Sequence, residues 1–141
     1  MDQAVTAFLD QVPIGVLGTQ RADGTTRQSA VYFVADGDAV YVSTERKRQK
    51  TRDVIRGRRA SLCIVGPAAP YPSVTLEGPA AIIETGIAPI TGRIFARMAG
   101  GDPPALSDED LAAMDRVLIR IDVDRVYGSS YLGGAHQHEK T

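Results

Sequence analysis

Short stretches rich in apolar and β-branched residues recur along the chain between turn residues, and such stretches predict strands. Three such stretches, at 14–20, 26–35 and 39–43, are separated by Ala22-Asp23-Gly24 and Asp36-Gly37-Asp38. These short Asp- and Gly-containing segments are typical of hairpin turns. Consecutive strands joined by tight turns favour an antiparallel sheet over βαβ units.

Further strands are predicted at 59–65, 74–84 and 117–123. Gly78-Pro79 within the second of these indicates a bulge or an edge position, because proline cannot donate to a strand ladder. About six strands in this length predict a small closed barrel with peripheral helices.

Helical spacing of apolar residues appears at 2–11 and at 88–99. A further short helix is predicted to begin at Ser107, because Asp110 follows it three residues later and the pair resembles a capping box. A polar segment from Thr44 to Gly57 is interpreted as a helix lying on the sheet. Thr44 is its expected N-cap, and Gly57 is expected just beyond its end.

Composition indicates one soluble domain over 1–141, with a flexible tail expected at 133–141. Apolar residues make up 43% of the 141 residues and charged residues 23%, which are ordinary values for a globular domain. No stretch approaches the ~20 apolar residues needed to span a bilayer. The N-terminus lacks the basic region of a signal peptide, so we expect a cytoplasmic protein without a membrane partner. Cys63 stands alone in an apolar run and is interpreted as a small buried hydrophobic residue.

Positive charge is concentrated in one segment. The net charge is −1, yet eight of the sixteen Lys and Arg residues lie between 46 and 59. This predicts a local electropositive face on a nearly neutral protein. Nucleic-acid binding is not favoured, because no aromatic residue lies in this segment to stack on bases.

The strand that ends near Thr44 and the basic helix after it suggest a phosphate site. A helix N-terminus offers free amide groups and a partial positive charge. Thr44, Arg48, Gln49 and Lys50 can add donors at the same place, with Arg gripping phosphate through two parallel hydrogen bonds. A solvated basic face is the alternative that the spacing alone leaves open.

Three motifs resemble the pyridoxamine-phosphate-oxidase-like FMN-binding split-barrel superfamily. The first joins Ala39-Val-Tyr-Val-Ser-Thr44 to Arg48-Gln49-Lys50 and Arg59-Ala60-Ser61-Leu62. The others are Leu76-Glu77-Gly78-Pro79-Ala80 and Ile121-Asp-Val-Asp-Arg-Val-Tyr-Gly128-Ser129. The similarity covers roughly 5–132 and is closest to the deazaflavin (coenzyme F420) dependent reductases of actinobacteria. Arg48 replaces the serine that is usual in those proteins.

The resemblance implies a mainly β fold, a six-stranded antiparallel split β-barrel, and a homodimer with two cofactor sites at its interface. It implies that the second strand packs against the cofactor ring, through residues Gln28, Ser29, Ala30 and Val31. The small side chains at 29 and 30 suit a planar ring. Arg48 strengthens the charge at the phosphate or reaches the oligoglutamate tail of the deazaflavin. Arg46, Lys47 and Arg52 are further candidates for that tail, or are solvated.

The implied function is an oxidoreductase that uses reduced coenzyme F420 to transfer a hydride to a small conjugated or tetrapyrrole-like substrate. The alternatives are an FMN-dependent oxidase or reductase of the same fold and a non-catalytic cofactor-binding protein. No catalytic acid or base is assigned, because the cofactor carries the chemistry. We expect no metal site. His136 and His138 are interpreted as part of the flexible tail.

Overall fold

The computed structural model describes residues 1–128. Its elements follow the order α1 (Gln3–Gln11), β1 (Ile14–Gln20), β2 (Thr26–Asp36), β3 (Ala39–Glu45), α2 (Gln49–Gly57), β4 (Arg59–Val65), β5 (Ser73–Ile83), α3 (Ala88–Ala99), α4 (Asp108–Ala113), β6 (Arg116–Asp122) and β7 (Arg125–Gly128). The six predicted strands are confirmed to within two residues at each end, and the predicted helices over 2–11 and 88–99 are confirmed as α1 and α3.

Six strands close into an antiparallel barrel. They follow the order β4-β1-β2-β3-β6-β5, and β5 pairs back with β4 to complete the ring. All of these pairings are antiparallel. The predicted mainly β fold, a six-stranded antiparallel barrel with peripheral helices, is therefore confirmed.

The seventh strand, β7, was not predicted, because the expectation ended the last strand at 117–123. β7 has four residues, too few for a visible alternation, and its extended shape depends on pairing with β5 from Val74↔Gly128 to Glu77↔Arg125. The chain approaches β5 closely just before this point. A Cβ on Gly78 would overlap the carbonyl oxygen of Asp122, so only glycine fits there.

The barrel is filled by apolar side chains, and two helices pack against it. Phe33, Leu62, Leu76 and Ile119 are fully buried inside it, which is where most of the favourable hydrophobic free energy of folding arises. α1 and α2 add further apolar residues to the same cluster, namely Val5, Leu9 and Val54. A second cluster lies outside the barrel beneath α3 and α4 and contains Val34, Ile87, Ile94, Leu111 and Leu118.

The capping box of α4 is confirmed. The Asp110 amide donates to Ser107 Oγ at 3.1 Å, and the Ser107 amide donates to the Asp110 carboxylate at 2.9 Å. The pair satisfies amides that the first helical turn leaves free.

Both predicted ends of the basic helix are wrong. Thr44 lies inside β3 because the β3–β6 ladder continues to Glu45↔Arg116 and keeps the chain extended. A turn follows, and α2 begins only at Gln49, with Arg48 at its N-cap position. Gly57 is the last helical residue, and Arg58 adopts the left-handed conformation with φ of 59°.

Cys63 is partly exposed rather than buried. It lies on the outer side of β4, because its neighbours Leu62 and Ile64 take the inward positions of the alternating strand.

No helix within residues 1–128 is long and apolar enough to cross a bilayer. The predicted tail, including His136 and His138, lies outside the described residues.

Candidate functional site

The barrel is split between β2 and β3. Their ladder has only four pairs, from Phe33↔Val42 to Asp36↔Ala39. Beyond it, β2 stays paired with β1 and β3 stays paired with β6, so the two strands separate. The edge of β2 over 28–32 faces a gap whose other side is formed by the end of β3, the start of β6 and the first turn of α2.

A basic cleft of about 310 Å³ occupies the part of this gap beside α2. It is lined by Arg21, Arg27, Gln28, Ser29, Arg48, Gln49 and Lys50. Four of these seven residues are cations, and none is an acid. A cleft of one charge sign attracts ligands of the opposite sign, so this cleft suits an anionic group.

A second cleft, which we name the α3 cleft, lies on the other side of Lys50. Its volume is about 150 Å³, and its walls come from β2, β3, β6 and α3. It is lined by Ala30, Val31, Tyr32, Ser43, Lys50, Ile94, Phe95, Met98 and Arg116. Lys50 lines both clefts, so they meet at its side chain.

The structure brings together seven of the eight predicted site residues. Five line the basic cleft (Gln28, Ser29, Arg48, Gln49 and Lys50) and two line the α3 cleft (Ala30 and Val31). Thr44 lines neither. Its side chain is 2% exposed, and its oxygen lies 3.4 Å from the Thr51 hydroxyl. Because strand side chains alternate between faces, Ser43 takes the place in the cleft that was assigned to Thr44.

Lys50 sits in an unusually positive environment. Burial lowers the pKa of its ammonium below the ordinary value of 10.5, and the charges of Arg48 and Arg116 lower it further. The first turn of α2 contains no acid, although the N-terminus of a helix carries positive partial charge and favours anions. A bound anion would offset the repulsion between Lys50 and its two arginine neighbours. It would also interact favourably with the positive end of the α2 dipole.

A buried carboxylate fixes α2 against the barrel. Asp53 is 3% exposed and accepts hydrogen bonds from Thr19 Oγ1 at 2.8 Å, Arg27 Nε at 2.7 Å and Arg56 at 3.3 Å. Burial alone would raise the pKa of Asp53, but these hydrogen bonds from Arg27, Thr19 and Arg56 outweigh it and lower that pKa. The first turn is held separately by the Thr51 hydroxyl, which donates to the Glu45 carbonyl at 2.7 Å.

Sequence reasoning missed the α3 wall and several polar groups. These residues are Arg21, Arg27, Tyr32, Ser43, Ile94, Phe95, Met98 and Arg116. Only Ser43 had a local signal, through its alternation with Thr44. Arg116 reaches the site because the β3–β6 register places it opposite Glu45, and no sequence pattern reveals that register.

Three other cations of the basic segment lie elsewhere. Arg46 forms ion pairs with Glu84 and, at 3.6 Å, with Asp115. Lys47 lies 4.0 Å from Glu45. Neither these two nor Arg52 lines the basic cleft or the α3 cleft.

Comparison with known proteins agrees with the fold. The family model described as pyridoxamine 5'-phosphate oxidase matches residues 1–130. A solved structure named F420 reductase is 26% identical, covers 85% of this chain and 93% of its own, and has a TM-score of 0.69. No curated protein sequence matches this chain significantly.

Two more distant structures share the fold. A conserved hypothetical protein from Mycobacterium tuberculosis is 22% identical with a TM-score of 0.75, covering 100% of this chain and 92% of its own. General stress protein 26 from Bacillus anthracis is 23% identical with a TM-score of 0.70, covering 89% of this chain and 91% of its own.

Proposed function

Because this chain belongs to the pyridoxamine 5'-phosphate oxidase family, we propose that it is an oxidoreductase with a flavin-type cofactor held in the split between β2 and β3. The proposed cofactor is reduced coenzyme F420, and the proposed substrate is a small conjugated or tetrapyrrole-like molecule. The observation that carries the proposal is the pair of clefts that meet at Lys50, one basic and one lined largely by apolar side chains.

The basic cleft suits the anionic part of such a cofactor. Arg48 and Lys50 provide charge, Gln49 provides amide donors, and the start of α2 adds its dipole. Arg48 is paired with Glu45 at 3.3 Å, but both side chains reach solvent, and exposed pairs contribute little free energy. Arg48 can therefore exchange this partner for a ligand at low cost.

The edge of β2 suits the planar ring. Ser29 and Ala30 have small side chains, and the backbone over 28–32 has no ladder with β3 on this side. The amide and carbonyl groups of this stretch that point away from β1 are therefore available to a ring that lies across them. Reduced coenzyme F420, when bound, supplies the hydride. The chain positions the ring, holds the anionic group and supplies the apolar α3 wall beside it.

The preference for F420 over FMN rests on two supports. One is the similarity to a structure named F420 reductase. The other is the number of cations in the basic cleft, which exceeds what one phosphate needs and suits a cofactor that carries several carboxylates. FMN is the alternative outcome of the test below.

Titration of the purified protein with F420 and with FMN, followed by ligand fluorescence, tests the proposal. Lys50→Ala should weaken F420 binding by about 1.5–3 kcal/mol, the range for a hydrogen bond to a charged group. Lys47→Ala is the matched control, because Lys47 is an exposed lysine of the same segment outside both clefts. Equal affinities of the two variants would contradict the site, and tighter binding of FMN than of F420 would identify an FMN protein.

A homodimer is part of the proposal, since a 141-residue barrel is too small to enclose such a cofactor alone. The outer face of β1, β2 and β4 presents apolar side chains to solvent, with Ile14, Val16 and Val65 exposed by 45%, 39% and 51%. Val16 is aligned with Ala30 and with Cys63 on its two neighbouring strands. This exposed apolar face is therefore adjacent to the edge of β2 that is proposed to hold the cofactor ring.

Light scattering coupled to size exclusion tests the dimer. Val16→Asp should convert it to a monomer and weaken cofactor binding. Ile55→Asp is the control, because Ile55 is a similarly exposed aliphatic residue on α2, 58% exposed. A Val16→Asp protein that keeps the mass of a dimer would exclude this face as the interface.

A further inference from the structure

We propose that Arg116 recognises a carboxylate on the substrate, and that the apolar wall of α3 beside it holds the body of that substrate. The inference rests on the proposed function, because it assigns the part of the split that the cofactor does not need. The substrate class is an apolar, flat molecule that carries at least one carboxylate.

The third cleft, which we name the outer cleft, continues the α3 cleft towards solvent. Its volume is about 440 Å³, and it is lined by Phe95, Met98, Ala99, Asp102, Pro104 and Arg116. Phe95, Met98 and Arg116 line both clefts, so the outer cleft and the α3 cleft adjoin each other at these three side chains. The three shared side chains are an aromatic ring, a thioether and a guanidinium. Together they suit a ligand that has an apolar body and an anionic group.

Arg116 and Arg120 stand four residues apart on β6 and differ in their partners. Each guanidinium lies over an aromatic ring, Arg116 at 5.6 Å from Phe95 and Arg120 at 5.8 Å from Tyr41. Arg120 is exposed and donates to the Asp122 carboxylate at 2.8 Å. Arg116 is half-buried, and no acid of residues 1–128, Asp102 included, lies within 4.0 Å of its nitrogens.

A half-buried guanidinium without an anion is electrostatically costly, because it has lost water without gaining a partner. Its planar fork matches a carboxylate with two parallel hydrogen bonds. Stacking on Phe95 also fixes its plane, so less side-chain entropy is lost when an anion binds.

Ser43 supplies a second donor. Its hydroxyl oxygen is buried and has no hydrogen-bond partner within the described residues. Such groups are rare in folded proteins, since each costs about 1–3 kcal/mol. Ser43 shares the α3 cleft with Arg116 and Lys50, so an oxygen of a bound carboxylate can accept its hydrogen bond.

Calorimetric titration with 2-naphthoate and its neutral analogue 2-naphthamide tests the inference without any cofactor. The wild type should bind naphthoate at least tenfold more tightly than naphthamide. Arg116→Gln should remove this preference by weakening naphthoate alone, and Met98→Asp should weaken both probes. Arg120→Gln is the matched control and should change neither affinity. Thermal melts confirm that each variant is folded.

Three results would overturn the inference. They are equal affinities of the wild type for the two probes, no binding of naphthoate up to its solubility, and the same naphthoate affinity in the Arg116→Gln and Arg120→Gln proteins.

Titration of Arg116→Gln with F420 and FMN separates this inference from the proposed function. We expect the affinity of the wild type for the cofactor to be kept. A loss of cofactor affinity equal to that of Lys50→Ala would place Arg116 in the cofactor site and overturn the inference alone. A wild type that binds neither cofactor would overturn the proposed function, while the comparison of naphthoate with naphthamide would still decide the role of Arg116.

Discussion

The two sides of the barrel are built differently. On the closed side, β4 and β5 pair without interruption from Arg59↔Pro79 to Val65↔Ser73, and the inward residues Leu62, Ile64 and Leu76 are fully buried. On the split side, the ladder between β2 and β3 stops after four pairs. The closed side pairs its backbone groups without interruption, whereas the split side leaves an edge of β2 and the clefts beside it available to a ligand.

The split is kept open by interactions that are polar rather than apolar. β3 leaves β2 because it stays paired with β6, and α2 covers the gap through the hydrogen bonds of Asp53 to Thr19 of β1 and Arg27 of β2. Four cations gather at the mouth of the split, where Arg27 is paired with Asp53 and Arg48 with Glu45, and no acid lines the basic cleft itself. The contrast predicts that variants of the closed side change stability, whereas variants of the split side change binding.

The largest effect is expected on the closed side. Leu76→Ala removes a fully buried side chain and should lower the free energy of unfolding by about 3–4 kcal/mol, through lost burial and the cavity that remains. Chemical denaturation measures this value. The F420 affinity of the folded fraction should be unchanged, and a large loss of that affinity would contradict the separation of the two sides.

Asp53→Asn weakens the link between α2 and the barrel and should cost about 2 kcal/mol of unfolding free energy, because Arg27 loses its anionic partner. The cost should depend on pH. The pKa of Asp53 lies below its ordinary 3.8 in the folded state, so its stabilisation is complete above that value and is lost as the pH falls through the folded-state pKa.

Denaturation of both proteins across pH measures this dependence. The difference in stability between wild type and Asp53→Asn should be constant near neutrality and shrink in acid. A difference that grows on acidification would show that the carboxylate is not stabilised by these donors.

Ala30→Leu tests the ring position on the split side. Ala30 is exposed on the free edge of β2, so the larger side chain should change unfolding free energy by less than about 0.5 kcal/mol. It should weaken cofactor binding at least tenfold, or about 1.4 kcal/mol, by occupying the space in which the ring is proposed to lie against β2. Ala81→Leu, at an exposed position of β5 outside the clefts, is the control. Unchanged cofactor affinity in Ala30→Leu would remove β2 from the site.

Ser43→Ala should have the smallest effect, and its sign is the informative part. Removing a buried hydroxyl that has no partner among residues 1–128 should stabilise the free protein by about 0.5–1 kcal/mol, as measured by denaturation midpoints. Thr91→Ala is the comparison variant, because the Thr91 hydroxyl is also buried with no partner in that part of the chain but does not line the α3 cleft. Only Ser43→Ala should also weaken naphthoate binding. Destabilisation by Ser43→Ala would indicate a partner for its hydroxyl.

The sequence predicted the strands, the hairpins and seven of the fifteen residues that line the basic cleft and the α3 cleft. Apolar-rich stretches and Gly-Asp turns are local signals, and Gln49 and Lys50 belong to a charged segment that is visible in the chain. The error at Thr44 shows the limit of such signals. A polar residue after a strand is a reasonable N-cap, but pairing with β6 carried β3 further and turned that side chain inward.

Tertiary structure alone decided which groups meet in the split. The register of β3 with β6 brings Arg116 beside Lys50, and packing of α3 against β2 brings Phe95 and Met98 to the same place. β7 likewise exists only as a partner of β5. Local patterns report how each segment satisfies its own backbone and apolar side chains. They carry no information about which distant edges pair, and the site is made by that pairing.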